Sequence, residues 1–163
     1  MGSEPVNLKH KSILFVCLGN ICRSAMAEGI FRKMAVKHGH AEQLFMDSAG
    51  TGSWHIGNPP DSRAIAKARE HGIDISGQRG RQVGPDDFDR FDLMLAMDRS
   101  NLDTLKVRAP AKSSAHVALF LAYASGREDD VPDPYYGGPE GFEQVYRMIE
   151  TAGAALLERL EAA

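Results

Sequence analysis

The sequence predicts a single α/β domain built on a four-stranded parallel open sheet with helices on both faces. Short apolar runs alternate with segments of helical periodicity, and this alternation is typical of parallel sheets. The length of 163 residues fits one domain that can bury its own core. Its 43% hydrophobic and 25% charged residues are ordinary for a globular protein.

Four apolar runs supply the predicted strands, which cover residues 12–16, 44–48, 91–97 and 116–121. The predicted helices cover about 24–38, 61–72, 98–109 and 140–160. Asp61 and Asp98 are the residue type that caps helix N-termini, and Gly72 suits the position after a helix end. The third helix has to stop before Pro110.

The domain is predicted to span residues 11–163, preceded by a flexible tail or cloning remnant at residues 1–10. The tail lacks the long apolar segment of a signal peptide. The longest apolar run, residues 117–124, is too short to cross a membrane. We therefore expect no membrane association.

Charge and cysteine content narrow the functional classes. A net charge of −3 argues against a nucleic-acid binder with a broad basic surface. The two cysteines lie in one loop, so they provide neither a disulfide scaffold nor a four-thiolate zinc site, and they favour a reducing cytoplasmic location. The six histidines show no metal-ligand spacing, and we expect no metal and no cofactor.

The segment 12–27, SILFVCLGNICRSAMA, carries the strongest chemical signal. A strand-like run ends at Cys17, and a helix-like pattern begins near Ser24. Unpaired amides at a helix start attract anions, and the same field favours a thiolate at Cys17. Arg23 can donate two parallel hydrogen bonds to one phosphoryl group. Gly19 and Asn20 allow the backbone to turn its amides inward, which predicts an anion site around a nucleophilic thiol.

The segment VCLGNICRS resembles the active-site signature of the low-molecular-weight protein tyrosine phosphatases, and DPYYGG at residues 133–138 resembles the acid loop of that family. Further similar segments are SAGT, WHIGNPPDSRA, HGID and MDRSN, so the resemblance extends from residue 12 to about residue 160. Ala25 departs from it, because the family usually has proline there, at the expected first helical position. The resemblance implies a Rossmann-like phosphatase fold.

The resemblance also implies roles for individual residues. Cys17 would form a phosphocysteine, Arg23 would bind the phosphoryl group, and Asp133 would act first as general acid and then as base. The remaining implied phosphate-binding positions are Leu18, Gly19, Asn20, Ile21, Cys22 and Ser24. Two implied supports of the loop are Ser48 and His71.

Three aromatic residues, Trp54, Tyr135 and Tyr136, are predicted at the substrate rim. Trp54 lies among Gly, His and Pro, where an aromatic can stack on a phenyl ring, although core packing is the alternative. The two tyrosines would line the same cleft or pack their own loop. Asp98 would cap its helix or, by resemblance, help to fix the surroundings of the site.

The predicted function is hydrolysis of aryl phosphate monoesters by a monomeric phosphatase. Expected partners are phosphotyrosine-containing proteins and, in the loop, inorganic phosphate or sulfate-like anions. An arsenate reductase on the same scaffold is one alternative, but such enzymes pass the oxidation to further cysteines, and only Cys22 is present. A phosphate-binding or phosphocarrier module is the other, although a carrier has no need of an acid such as Asp133.

Overall fold

The computed structural model describes residues 7–135 and 138–162. The strands are β1 (Ser12–Cys17), β2 (Phe45–Gly50), β3 (Leu93–Ala96) and β4 (His116–Leu119). The helices are α1 (Arg23–Lys37), α2 (Ser62–Glu70), α3 (Asp87–Arg90), α4 (Arg99–Arg108), α5 (Phe120–Ser125) and α6 (Pro139–Glu161). Within the described part of the chain, no helix has the length and apolar character needed to cross a membrane.

The four strands form one parallel sheet in the order β2-β1-β3-β4, which confirms the predicted fold class. Cys17 at the end of β1 pairs with Gly50 at the end of β2, and Val16 pairs with Ala96 of β3. The carboxyl ends of β1, β2 and β3 therefore meet at one edge of the sheet. In open α/β sheets this edge is where ligands bind.

Two separate apolar cores lie on the two faces of the sheet. Ile13 and Phe15 of β1 belong to the larger core, which includes residues of α1, α5 and α6. The alternate residues Leu14 and Val16 belong to the smaller core beneath α3 and α4. This alternation is the period of two that a strand buried on both faces requires.

Three helix boundaries differ from the prediction. β4 ends at Leu119 and α5 follows at once, whereas the predicted strand continued to residue 121. The helix was not predicted because a continuous apolar run carries no signal for a change from strand to helix. The short helix α3 lies in a segment for which no helix or strand was predicted. α1 begins at Arg23, so Ala25 is its third residue and not its first, and the argument about a proline at the first position does not apply to it.

Part of the predicted N-terminal tail contacts the domain. Leu8 is buried in the larger core, and the Lys9 amide donates a hydrogen bond to the Leu160 carbonyl near the end of α6. Leu8 is thus already part of the packed domain, although the predicted boundary was at residue 11.

Candidate active site

The segment from Cys17 to Ser24, called the cysteine loop below, joins the end of β1 to the first turn of α1. It lies against the end of β2, where a Cβ atom added at Gly50 would be 2.7 Å from the Leu18 carbonyl oxygen. Real Cβ atoms essentially never approach another heavy atom so closely. A glycine at position 50 therefore lets the loop pack directly on the neighbouring strand.

Asn20 holds the shape of the cysteine loop. Its φ of 58° lies in the left-handed region, which asparagine tolerates better than most residues. Its side-chain oxygen accepts a hydrogen bond from the Arg81 amide at 3.0 Å. Its side-chain nitrogen donates to the Ser24 hydroxyl oxygen at 2.9 Å. The buried Asn20 side chain thus links the Ser24 end of the loop to the segment at Arg81.

The Cys17 sulfur lies at the centre of this network. The Asn20 amide donates to Sγ at 3.3 Å, and the Ser24 hydroxyl lies 3.0 Å from Sγ. Because Ser24 already accepts a hydrogen bond from Asn20, its own proton is free to point at the sulfur. Two polar groups of the loop are therefore directed at the Cys17 sulfur.

Arg23 is buried beside the sulfur, with its side chain only 3% exposed. Its Nη1 donates to Asp98 Oδ2 at 2.6 Å and to the Val131 carbonyl at 2.9 Å, which uses both of its protons. Burial alone would lower the pKa of Arg23, but the surrounding charges of Cys17, Asp98 and Asp133 outweigh it, and the net pKa is raised. The guanidinium therefore remains charged, and among the described residues no hydrogen bond uses its Nε or Nη2.

Asp98 serves two elements at once, so both roles considered from the sequence occur. Its Oδ1 accepts from the Asn101 amide at 2.8 Å and caps α4. Its Oδ2 is the atom that binds Arg23. The helix cap thereby fixes the orientation of the arginine.

A cavity of about 390 Å³ opens above the cysteine loop. Cys17, Arg23 and Asp133 line it together, although Asp133 comes from the other end of the chain. Asp133 Oδ2 lies 3.7 Å from Arg23 Nη2, and its Oδ1 accepts a hydrogen bond from the Tyr135 amide at 3.0 Å. The remaining lining residues are Leu18, Gly19, Ile21, Cys22, Trp54, His55 and Tyr135.

Exposed apolar side chains surround the mouth of the cavity. Trp54 is 70% exposed and Tyr135 is 39% exposed, so the core-packing alternative for Trp54 is wrong. Tyr136 lies outside the described residues. His55 also lines the cavity and was not predicted, although its position beside Trp54 in the sequence was an available signal.

Cys22 lies in the cavity wall and is 4% exposed. Burial raises the pKa of its thiol, and the nearby negative charges of Asp61, Cys17 and Asp133 raise it further. These effects outweigh the field at the start of α1, where Cys22 occupies the N-cap position. Cys22 is therefore a protonated thiol beside Cys17.

Ser48 and His71, the two predicted supports, make their side-chain contacts elsewhere in the described structure. The Ser48 hydroxyl donates to Glu28 Oε1 at 2.7 Å, within the body of α1. The His71 ring stacks on Tyr146 of α6 with 4.0 Å between the ring centroids. Both side chains point into the packing between elements, which a motif resemblance does not determine.

The contacts that support the loop, which were not predicted, come mainly from backbone amides. The Thr51 and Gly52 amides donate to the Cys17 and Leu18 carbonyls, each at 2.9 Å. The Asp61 amide donates to the Ile21 carbonyl at 2.8 Å. Because every residue except proline carries the same amide, these contacts could not be predicted from the residue types.

One group of possible metal ligands is found among the described residues, formed by Glu70, His71 and Glu143. The Lys67 ammonium already binds both carboxylates, at 2.6 Å from Glu70 and 2.9 Å from Glu143. This cation supplies the charge that the two glutamates require, and we assign the group no metal role.

The fold and the cavity together define a class: an α/β protein with a thiol-bearing loop that lines a cavity at the carboxyl edge of its sheet. The family model described as "Low molecular weight phosphotyrosine protein phosphatase" matches residues 12–163. The chain belongs to this family. It is a hydrolase of the protein-tyrosine-phosphatase class.

Individual relatives agree with this assignment. The low-molecular-weight protein-tyrosine-phosphatase YfkJ of Bacillus subtilis is 46% identical over 92% of this chain and 96% of its own length. A tyrosine phosphatase structure from Entamoeba histolytica, with Hepes in the active site, has a TM-score of 0.87 at 37% identity and covers 93% of this chain and 97% of its own. Vibrio vulnificus Wzb in complex with benzylphosphonate has a TM-score of 0.81 at 30% identity and covers 92% of this chain and 99% of its own. These names favour hydrolysis over the arsenate-reductase and phosphocarrier alternatives.

Proposed function

We propose that the chain hydrolyses phosphotyrosine and other aryl phosphate monoesters through a phosphocysteine on Cys17. The observation that carries the proposal is the meeting of Cys17, Arg23 and Asp133 in one cavity. A nucleophile, an anion binder and a proton donor are the three groups that this reaction needs.

Binding of the phosphoryl group relies on the cysteine loop and Arg23. The loop leads into the first turn of α1, and its Asn20 amide points at the sulfur. Unpaired amides at a helix start bind phosphate oxygens. Arg23 adds two parallel N–H groups from Nε and Nη2, because Asp98 and Val131 occupy Nη1. Inorganic phosphate and sulfate-like anions would occupy the same place.

The first chemical step transfers the phosphoryl group to the enzyme. The Cys17 thiolate forms an S–P bond while the ester P–O bond breaks, and Arg23 stabilises the charge on the equatorial oxygens. A protonated Asp133 carboxyl gives its proton to the departing phenolate oxygen. The Ser24 hydroxyl and the Asn20 amide hold the sulfur as an anion before attack and after release.

The second step returns the enzyme to its starting state. The Asp133 carboxylate takes a proton from water as the water oxygen bonds to phosphorus and the S–P bond breaks. Inorganic phosphate and the Cys17 thiolate are the products. No metal or cofactor enters either step.

The rim selects the alcohol portion of the ester. Trp54 and Tyr135 present exposed aromatic faces at the cavity mouth, beside the half-exposed Leu18. Aromatic rings stack favourably on a phenyl group. Benzylphosphonate, which carries a phenyl group one carbon from phosphorus, is bound in the Wzb complex and supports an aryl substrate.

The cellular setting follows from composition and is part of the same proposal. A net charge of −3 supports protein substrates over nucleic acid, and a nucleophilic thiol beside a second thiol supports the reducing cytoplasm. We place the enzyme there as a monomer that acts on phosphotyrosine-containing proteins and is not attached to a membrane.

The test is hydrolysis of 4-nitrophenyl phosphate and phenyl phosphate by purified protein in the presence of EDTA. We expect turnover by the wild type, none by Cys17→Ser, and a loss in Asp133→Ala of about 10²–10⁴-fold with phenyl phosphate. Asp129→Ala is the matched control, because Asp129 is an exposed acid of the same loop region that pairs with Arg127. Undiminished turnover by Cys17→Ser would refute the mechanism.

A further inference from the structure

Arg63, in the first turn of α2, lies between two aromatic rings of different elements. Its guanidinium carbon is 5.3 Å from the centroid of the Tyr135 ring and 4.9 Å from the centroid of the Phe142 ring in α6. Both distances are within the range of cation–π attraction. Arg63 therefore joins the segment that follows Asp133 to the buried face of α6.

The polar edge of the same guanidinium is bound to Asp61. Nε donates to Asp61 Oδ1 and Nη2 to Oδ2, each at 3.0 Å, and the Arg63 amide also donates to Oδ1 at 2.8 Å. The Asp61 amide in turn donates a hydrogen bond to the Ile21 carbonyl of the cysteine loop at 2.8 Å. The face of the Arg63 guanidinium thus contacts the turn that carries Asp133, while its edge is bound to Asp61, which contacts the cysteine loop.

The pair stays ionised throughout the pH range of a phosphatase assay. The hydrogen bonds from Arg63 lower the pKa of Asp61 below its ordinary value of about 3.9. A carboxyl with a lowered pKa keeps its pairing above the unfolded value and loses it only as the pH falls through the folded one. The anchor is therefore complete at every pH above about 4.

Tyr135 carries the effect to the proposed acid. Its amide donates to Asp133 Oδ1 at 3.0 Å, so the ring under Arg63 and the carboxylate in the cavity belong to one short turn. A change in the position of the Tyr135 ring would move that amide and, with it, the carboxylate. Lysine could not replace the contact, because only the planar guanidinium stacks on a ring while binding a carboxylate with two atoms.

We propose that Arg63 is a positioning residue that holds the Asp133 turn over the cysteine loop, at the place where its carboxyl can protonate the leaving oxygen. This inference rests on the proposed function and adds to it the residue that sets the distance between its two halves. Because the Arg63 side chain is 44% exposed, its removal leaves the core of the domain intact.

The experiment compares kcat/KM for two esters that differ in their need for an acid. The nitro group stabilises 4-nitrophenolate as it leaves, whereas phenolate depends on protonation. We expect Arg63→Gln to lower kcat/KM for phenyl phosphate about ten- to a hundredfold, since a displacement near 1 Å costs on the order of 10²-fold. The loss with 4-nitrophenyl phosphate should be less than about threefold, with unchanged inhibition by inorganic phosphate, because the cysteine loop keeps its shape.

Three further variants complete the design. Arg63→Lys keeps the charge and should show the same pattern, and it is measured by the same criteria if Arg63→Gln does not fold. Arg147→Gln is the matched control, because Arg147 also binds a carboxylate, Glu143 at 2.6 Å, and should leave both esters unaffected. In an Asp133→Asn background, Arg63→Gln should cause no further loss, because the residue acts through Asp133.

The outcomes separate the two proposals. Equal losses with both esters, no loss at all, or a further loss in the Asp133→Asn background would overturn the role of Arg63 while the wild type and Cys17→Ser behave as the mechanism requires. An inactive wild type or an active Cys17→Ser would overturn the proposed function, and the positioning role with it.

Discussion

Replacement of Asp98 can separate a helix cap from the orientation of the anion-binding arginine. Asp98→Asn retains a side-chain oxygen that caps α4 as aspartate does, but it removes the charge opposite Arg23. Asp98→Ala removes both. The two variants therefore share the loss at Arg23 and differ only at the cap.

The magnitudes follow from the two contacts. The bond from Arg23 to Asp98 is 2.6 Å long and joins two charges, and hydrogen bonds to charged groups contribute about 1.5–3 kcal/mol. If that contribution is lost in the transition state, kcat/KM falls by about ten- to 150-fold. The cap, with its 2.8 Å bond from Asn101, contributes about 1 kcal/mol to the free energy of unfolding.

The assay combines steady-state kinetics with urea unfolding. We expect both variants to lose kcat/KM to a similar extent, and Asp98→Ala to be less stable than Asp98→Asn by the energy of the cap. Asp103→Asn, an exposed change of the same kind in α4, should alter neither quantity. Wild-type kcat/KM in Asp98→Asn would refute the orienting role, and equal stability of the two variants would refute the cap.

Two further predictions concern the cysteine loop. Gly50→Ala should lower kcat/KM by about 10²-fold, because the added Cβ would meet the Leu18 carbonyl oxygen at 2.7 Å and displace the loop. The control Gly77→Ala, which adds a Cβ in open space, should have no effect on kcat/KM. Equal kcat/KM in the two variants would contradict the packing argument. Because the pKa of Cys22 is raised in the native state, the native thiol keeps its proton to a higher pH than the thiol of the unfolded chain. The free energy of unfolding should therefore fall above about pH 8.5, by at most about 1.4 kcal/mol per pH unit. Urea unfolding between pH 7.5 and 9.5 measures this slope, which Cys22→Ala should remove; a slope that persists in that variant would refute it.

The sheet could be predicted from sequence because each strand is a short apolar run bounded by polar residues. All four strands lie within or next to the predicted segments, and Asp61 and Asp98 cap helices as expected. The helix α5 could not be predicted, since Phe120 continues an apolar run without any break. Periodicity alone does not distinguish a buried strand from a buried helix over so few residues.

Asp87 shows a second kind of failure, in which charge misleads. Asp86, Asp87 and Asp89 form an acidic cluster of the kind that usually faces solvent, but Asp87 is 3% exposed. Its carboxylate accepts two hydrogen bonds from the Arg81 guanidinium, at 2.9 and 3.0 Å, and one from the Gly84 amide. A buried charge needs such a partner, and here the partner is set by the fold.

In the cysteine loop, the reactive residues could be predicted from the sequence, but the groups that support the loop could not. Reactive groups must be particular side chains, so Cys17 and Arg23 are marked by residue type and spacing. The groups that hold the loop from behind are the amides of Thr51, Gly52 and Arg81, which any residue but proline could supply. The family resemblance implied support from Ser48 and His71, whose side chains contact Glu28 and Tyr146. Other contacts still constrain the side chains at two of these positions, because a Cβ atom at Gly52 would clash with the Trp54 ring and the Arg81 guanidinium binds the buried Asp87.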